Sequence, residues 1–217
     1  MIVNLNLQGK VVIVIGGGNE ALKRINSLLK EECQIIVISN TINNQIKNLI
    51  KNKKIKFKKQ NVQDTSILSI HKPYMVITTT NDKKLNQKII NDAKSKKIIA
   101  YSSDNPELSD FSNPAIIDFE NLIQIAIFTG GKSPAMAKKL RIESERVFKK
   151  LITKEEISQM KIQNIVREIA KNKIAKQNER KNYLNSIMSN KEIKQLIKEG
   201  QLKKAENQAR SILRNWK

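Results

Sequence analysis

The stretch Val11-Val12-Ile13-Val14-Ile15-Gly16-Gly17-Gly18-Asn19-Glu20-Ala21 decides the fold. Its five β-branched residues read as a strand, and the three glycines end that strand in a tight turn. Ala21, Leu22, Ile25, Leu28 and Leu29 then recur at helical spacing. Ile35-Ile36-Val37-Ile38 comes one helix length later, so the segment is a βαβ unit with parallel strands. The turn itself matches G-x-G-x-x-G/A, with Ala21 in the third small position. In that pattern the first glycine allows the turn, the second lets backbone amides approach a pyrophosphate, and the third small residue lets helix and strand pack closely. Gly16, Gly17 and Gly18 are therefore candidate cofactor-binding residues, with the helix N-terminus adding partial positive charge for phosphates.

Outward from this unit the rhythm continues. Residues 55–59, 74–79 and 98–102 read as further strands, with helical patterns at 43–50 and 84–96. The expected fold class is α/β, a Rossmann-type open parallel sheet. The rhythm then changes. Residues 115–118 and 122–128 are strand-like runs separated by Phe119-Glu120-Asn121, too short a gap for a crossover helix, so a hairpin is expected. Pro134 opens a helix carrying Met136, Ala137, Leu140, Val147 and Leu151. From Thr153 onward there is no proline and one glycine, Gly200, which predicts a small helical domain started by a capping box at Thr153-Lys154-Glu155-Glu156. The expected division is 1–112 for the dinucleotide-binding domain, 113–152 for a central hairpin and helix, and 153–217 for the helical domain.

The chain has 217 residues, 39% of them hydrophobic, enough for one full core of about 100–150 residues and a smaller appended unit. Lys and Arg number 41 against 20 Asp and Glu, a net charge of +21. Such an excess attracts nucleic acid, an acidic membrane surface or a polycarboxylated small molecule, and its sign alone does not choose among them. No apolar run reaches the roughly 18 residues of a membrane helix, and the first residues lack a signal-peptide layout, so a cytoplasmic protein is expected. One cysteine, Cys33, and one histidine, His71, supply neither an internal disulfide nor a zinc-type ligand set, and no metal site is expected. Cys33 reads as a packing residue and His71 as an ordinary loop residue before the fourth strand. Trp216 is expected to anchor the last helix, and no aromatic stripe suggests base stacking.

About 20 residues after the glycines, where an acid commonly bonds the adenosine ribose, stands Ser39-Asn40-Thr41. Asn40 and Thr41 are candidates for the ribose hydroxyls, and the absence of an arginine there favours NAD over NADP. Thr78-Thr79-Thr80-Asn81-Asp82 ends the fourth strand at the carboxyl edge of the sheet, where open α/β folds bind ligands; Thr79 and Thr80 are site candidates and Asn81 or Asp82 a helix cap. The loop Ser103-Asp104-Asn105-Pro106-Glu107-Leu108-Ser109-Asp110-Phe111 brings carboxylates to the same edge.

Taken in order, the glycine turn, Thr80-Asn81-Asp82, the Asp104–Phe111 loop, Pro114-Ala115-Ile116-Ile117-Asp118 and Thr129-Gly130-Gly131-Lys132-Ser133-Pro134 resemble the precorrin-2 dehydrogenase family, the siroheme synthase N-terminal modules. Some members also act as ferrochelatases. The resemblance covers roughly residues 4–150. It implies NAD-dependent oxidation of precorrin-2 to sirohydrochlorin in siroheme synthesis, with a catalytic aspartate at Asp104 and cofactor contacts at Asn19, Glu20, Asn40 and Thr41. It also implies a homodimer formed through the central segment. Ser133, which matches a phosphorylated serine in some members, is a site-lining candidate. Asn81 and Asn105 depart from the family, where acids are frequent, and that bears on metal chelation more than on dehydrogenation. The substrate's carboxylates give the basic charge a partner, and Lys132, Lys138, Lys139 and Arg141 are the cations clustered after the glycine pair. Two other readings stand beside this one: a bifunctional enzyme that also inserts Fe²⁺, and a dinucleotide sensor whose basic helical domain grips nucleic acid. The second needs a helix-turn-helix or a basic stripe, and the sequence shows only dispersed lysines.

Overall fold

The central strand of the sheet, β1 (Val11–Ile15), pairs in parallel with β2 (Gln34–Ser39) on one edge and β4 (Met75–Thr78) on the other. In this computed structural model, which describes residues 2–216, alternate side chains of β1 enter two different cores. Val12 and Val14 pack with Ala21, Ile25 and Leu28 of α1 (Asn19–Leu28) and Ile46 of α2 (Asn44–Lys51). Ile13 and Ile15 pack on the opposite face with Ile67 and Leu68 of α3 (Ser66–His71) and Ile89, Ile90 and Ala93 of α4 (Lys83–Ser95). A strand covered on both faces has no polar side to present, which is why its sequence is an unbroken apolar run.

With β3 (Lys56–Lys59) and β5 (Ile99–Ser102) the sheet is five-stranded and wholly parallel in the order β3-β2-β1-β4-β5. This is the expected Rossmann-type α/β sheet. The strand order reverses between β1 and β4, and the crevice beyond their carboxyl ends is where such sheets bind ligands.

α3 departs from the sequence reading, which gave residues 60–73 no helix. It spans six residues, too few for apolar positions to repeat, and His71 is its last residue rather than part of a loop. Cys33 is half-buried against the α1 side of the sheet, and burial pushes its thiol pKa up, as suits a packing residue.

The chain divides into two compact units. The first runs to Pro114 and includes Gly130–Lys132; the second comprises Ala115–Thr129 and everything from Ser133 onward. The second unit opens with the expected antiparallel hairpin, β6 (Ala115–Phe119) and β7 (Ile123–Ile127), turning at Glu120 and Asn121 with left-handed backbone. α5 (Pro134–Leu151) packs against both strands yet has no buried residue of its own. α6 (Lys154–Lys173) starts with the expected Thr153/Glu156 capping box, and α7 (Gln177–Ser189), α8 (Lys191–Lys198) and α9 (Leu202–Arg214) complete the unit. Gly200, at φ +73°, ends α8 as expected. The core here centres on Tyr183, whose hydroxyl donates to the Ala209 carbonyl at 2.9 Å and whose ring meets Trp216 edge-on at 5.3 Å. Burial pushes the Tyr183 pKa up to about 12, so the phenol stays a donor. Among the described residues no helix is long and apolar enough to cross a membrane.

Candidate active site

The glycine turn is shaped by what it touches. Gly16 sits at φ +115°, and a Cβ there would lie 2.3 Å from Thr79 Oγ1 and 3.0 Å from the Thr79 backbone. At Gly17 a Cβ would meet the Thr41 carbonyl oxygen at 2.0 Å and Ile42 Cα at 2.9 Å. These are backbone atoms that cannot swing aside, so the middle glycine, the x of the pattern, is the most tightly enclosed. Gly18 is different: it is exposed, its backbone is extended, and a Cβ would meet nothing within 4 Å. It stands at the N-cap of α1 with no side chain capping the helix, which leaves amide N–H groups of the first turn free for an anion.

Hydrogen bonds tie neighbouring strand ends to this turn. Gly16 N–H donates to Ile38 O, Asn43 N–H to Gly17 O, and Thr79 donates to Ile15 O through both its N–H and its hydroxyl. The result is a cavity of about 410 Å³ at the carboxyl edge of the sheet. Gly16, Gly17, Gly18, Asn40, Thr41, Thr79 and Thr80, all expected from the sequence, line it together. Gln60 and Asn61, from the end of β3, line it too and were not anticipated, although their place just past a strand at the ligand-binding edge was visible. Gln60 Oε1 is out of solvent and has no hydrogen-bond partner among the described residues, an acceptor suited to a ligand N–H or O–H. Among the described residues no lysine or arginine lines the cavity.

Asn19 and Glu20 stand on the first turn of α1 but do not line the cavity. Asn19 Oδ1 accepts from Asn43 Nδ2 at 3.3 Å. Glu20 gives one carboxylate oxygen to Lys23 and the other to Arg24. Burial pushes its pKa up, but these two cations outweigh burial and hold it below the usual carboxylate range.

The loop after β5 mixes two roles. Asn105 caps a 3-10 turn at Pro106–Leu108. Ser109 Oγ accepts from Ser102 N–H at 2.9 Å and Asp110 Oδ2 from Ala100 N–H at 2.8 Å, so both satisfy the outer edge of β5, and Phe111 packs on Tyr101. Asp110 is exposed, its other oxygen 3.5 Å from Lys94, and Glu107 is exposed with no anchor among the described residues. Asp104, exposed too, differs from both in being held by buried side chains: Oδ1 accepts from Ser102 Oγ at 2.7 Å and from Asn86 Nδ2 at 2.9 Å, leaving Oδ2 exposed. Asn86 is in turn bonded to Thr80, which lines the cavity. Asp82 caps α4 through Leu85 N–H.

Of the proposed substrate contacts, Lys132 is exposed and belongs to the first unit, whereas Ser133, Lys138 and Arg141 belong to the second. Ser133 caps α5, its hydroxyl accepting from Met136 N–H at 3.2 Å. Lys138 is exposed, and Arg141 pairs with Glu145 at 2.8 Å. Among the described residues no group of three or more His, Cys, Asp or Glu side chains is placed to hold a metal ion.

A family model described as "Putative NAD(P)-binding" matches residues 3–115. This chain belongs to that family. Relatives of this NAD(P)-binding chain include the siroheme synthases of Nitrosococcus oceani, 30% identical over 65% of the chain, and of Buchnera aphidicola, 31% identical over 66%. That of Actinobacillus pleuropneumoniae is 25% identical over 97%. The chain spans 29%, 29% and 42% of those proteins' lengths. Among solved structures, "SirC, precorrin-2 dehydrogenase" superposes with a TM-score of 0.70 at 20% identity, covering 97% of this chain and 99% of that one, which establishes a shared fold.

The three glycines of this family member separate fold from binding. Gly17→Ala is expected to destabilise the chain by about 2 kcal/mol or more, because the new methyl meets backbone. Gly18→Ala is expected to cost under about 1 kcal/mol yet to weaken NAD binding at least ~10-fold. Urea unfolding and calorimetric NAD titration of the two variants check both halves.

Proposed function

We propose that this chain carries out NAD-dependent dehydrogenation of precorrin-2 to sirohydrochlorin. The observation that carries the reading is the hydrogen-bonded path from Thr80, on the wall of the dinucleotide cavity, through Asn86 to the exposed carboxylate of Asp104. The siroheme synthase relatives and the fold shared with a precorrin-2 dehydrogenase support the substrate.

The cavity suits the cofactor. Gly16 and Gly17 leave no room for side chains, Gly18 and the uncapped amides of α1 face open space for a pyrophosphate, and Asn40 and Thr41 are placed for the adenosine ribose. Gln60 Oε1 offers a further acceptor. A cavity lined by no cation has nothing to neutralise a 2′-phosphate, which supports NAD over NADP. NAD, when bound, supplies a two-electron acceptor for hydride. The substrate loses one hydride and one proton; Asp104 takes the proton on Oδ2, the oxygen not engaged by Ser102 and Asn86. Lys132 and Lys138, exposed and without an ion-pair partner among the described residues, together with Ser133 and Arg141, are assigned to the substrate and its carboxylates. A cytoplasmic setting belongs to the same reading.

The segment 113–152 is assigned to homodimer formation. Ile116, Phe128, Met136, Leu140, Val147 and Leu151 are each 39–63% exposed, a concentration of apolar surface that a second copy of the chain would cover. Light scattering of the purified protein is expected to give twice the chain mass, and Leu140→Glu combined with Val147→Glu to give the monomer.

Turnover is tested anaerobically with precorrin-2 and NAD, followed as NADH absorbance. The expected outcome is NADH formation that requires both, with Asp104→Asn retaining NAD affinity and losing about 100-fold or more in rate. NAD binding without NADH formation would overturn the assignment.

A further inference from the structure

Burying a polar side chain is costly unless it is hydrogen-bonded, so where a chain does so is informative. Tyrosines aside, the buried polar side chains among the described residues are Thr78, Asn86 and Ser102, from β4, α4 and β5, and all three belong to one network. Thr78 Oγ1 donates to Ser102 Oγ at 3.4 Å, and Ser102 Oγ donates to Asp104 Oδ1. Asn86, 1% exposed, splits its two amide hydrogens between the Thr80 carbonyl at 3.0 Å and Asp104 Oδ1, while its own Oδ1 accepts from Thr80 Oγ1 at 2.6 Å. The carboxamide has one workable orientation: reversed, its oxygen would face a carbonyl and a carboxylate together. Position 86 stands on the buried face of α4 beside Leu85, Ile89 and Ile90, where an apolar residue would pack at lower cost.

We propose that Asn86 is a positioning residue for the reaction. It fixes the Asp104 carboxylate by Oδ1 so that Oδ2 is presented to the substrate, and through Thr80 it ties that orientation to the wall of the dinucleotide cavity. The inference rests on Asp104 being the proton acceptor proposed above. Ser102 acts as the second anchor on the same oxygen. A misplaced acceptor lowers the rate of the chemical step and leaves binding in place.

The test is a double-mutant cycle on the full chain. Asn86→Ala is expected to lower kcat about 10- to 100-fold with NAD affinity within about twofold of wild type. In an Asp104→Asn background the same change should have no further effect on kcat, because its target is already gone. Ser102→Ala carries the same expectation and serves if Asn86→Ala does not fold. A readout independent of turnover is the Asn86 side-chain NH₂ resonance, which should shift on Asp104→Ala. An unmoved resonance, or rate losses that multiply in the double variant, would overturn the positioning role. Wild-type turnover that survives Asp104→Asn would instead overturn the acceptor assignment on which it rests.

Discussion

The close approach of two side-chain-free residues to their neighbours underlies everything else at the sheet edge. Gly16 lies against Thr79, and Gly17 lies against the Thr41 carbonyl and Ile42. That contact lets the segments after β4 and β2 close on the β1–α1 turn, where Thr79 and Asn43 bond to Ile15 and Gly17. Without it the ends of three strands would not share one rim, and Asn40, Thr41, Thr79 and Thr80 would not line one cavity. Gly18 has the opposite character. A Cβ there would touch nothing, and that openness is what a ligand pyrophosphate requires. One run of three identical residues thus serves two ends: two glycines build the rim and the third leaves it accessible.

A similar division runs through the loop after β5. Asn105, Ser109, Asp110 and Phe111 close a turn, satisfy amides on the open edge of β5 and cover Tyr101. They blunt an edge that would otherwise offer unpaired amides to another chain. Asp104 is the member of the motif with an exposed carboxylate held from beneath by buried donors. The acidic motif is therefore partly architecture, and the buried network is what distinguishes Asp104 from Asp110, which serves Ala100 N–H and Lys94, and from Glu107, whose exposed carboxylate has no buried anchor among the described residues.

The α/β architecture was legible because β1 is covered on both faces and α1, α2 and α4 each bury one stripe, so burial writes itself into the period of the apolar residues. The hairpin and the capping box at Thr153 were legible from local chemistry. α3 was not, because six residues hold too little periodicity, and His71 was misplaced with it. At the site, the residues on the glycine turn and at the ends of β2 and β4 could be read from the strand positions. Gln60 needed the knowledge that the end of β3 reaches the same rim. Asn86 was missed although a signal was there: it stands three and four residues before Ile89 and Ile90, on the apolar stripe of α4, and a polar residue on that stripe marks a buried hydrogen-bonding position, here beneath Asp104. The pairing of Glu20 with Lys23 and Arg24 follows helical spacing but competes with the cofactor contact assigned to that position.

The measurement that bears most directly on the central claim is an amide NMR titration of the isotopically labelled full chain with NAD. The largest shifts are expected on Gly16, Gly17 and Gly18, the first turn of α1, Thr79, Thr80 and the side-chain amide of Gln60. Shifts confined to the helices beyond Thr153, with the glycine turn unmoved, would contradict that claim.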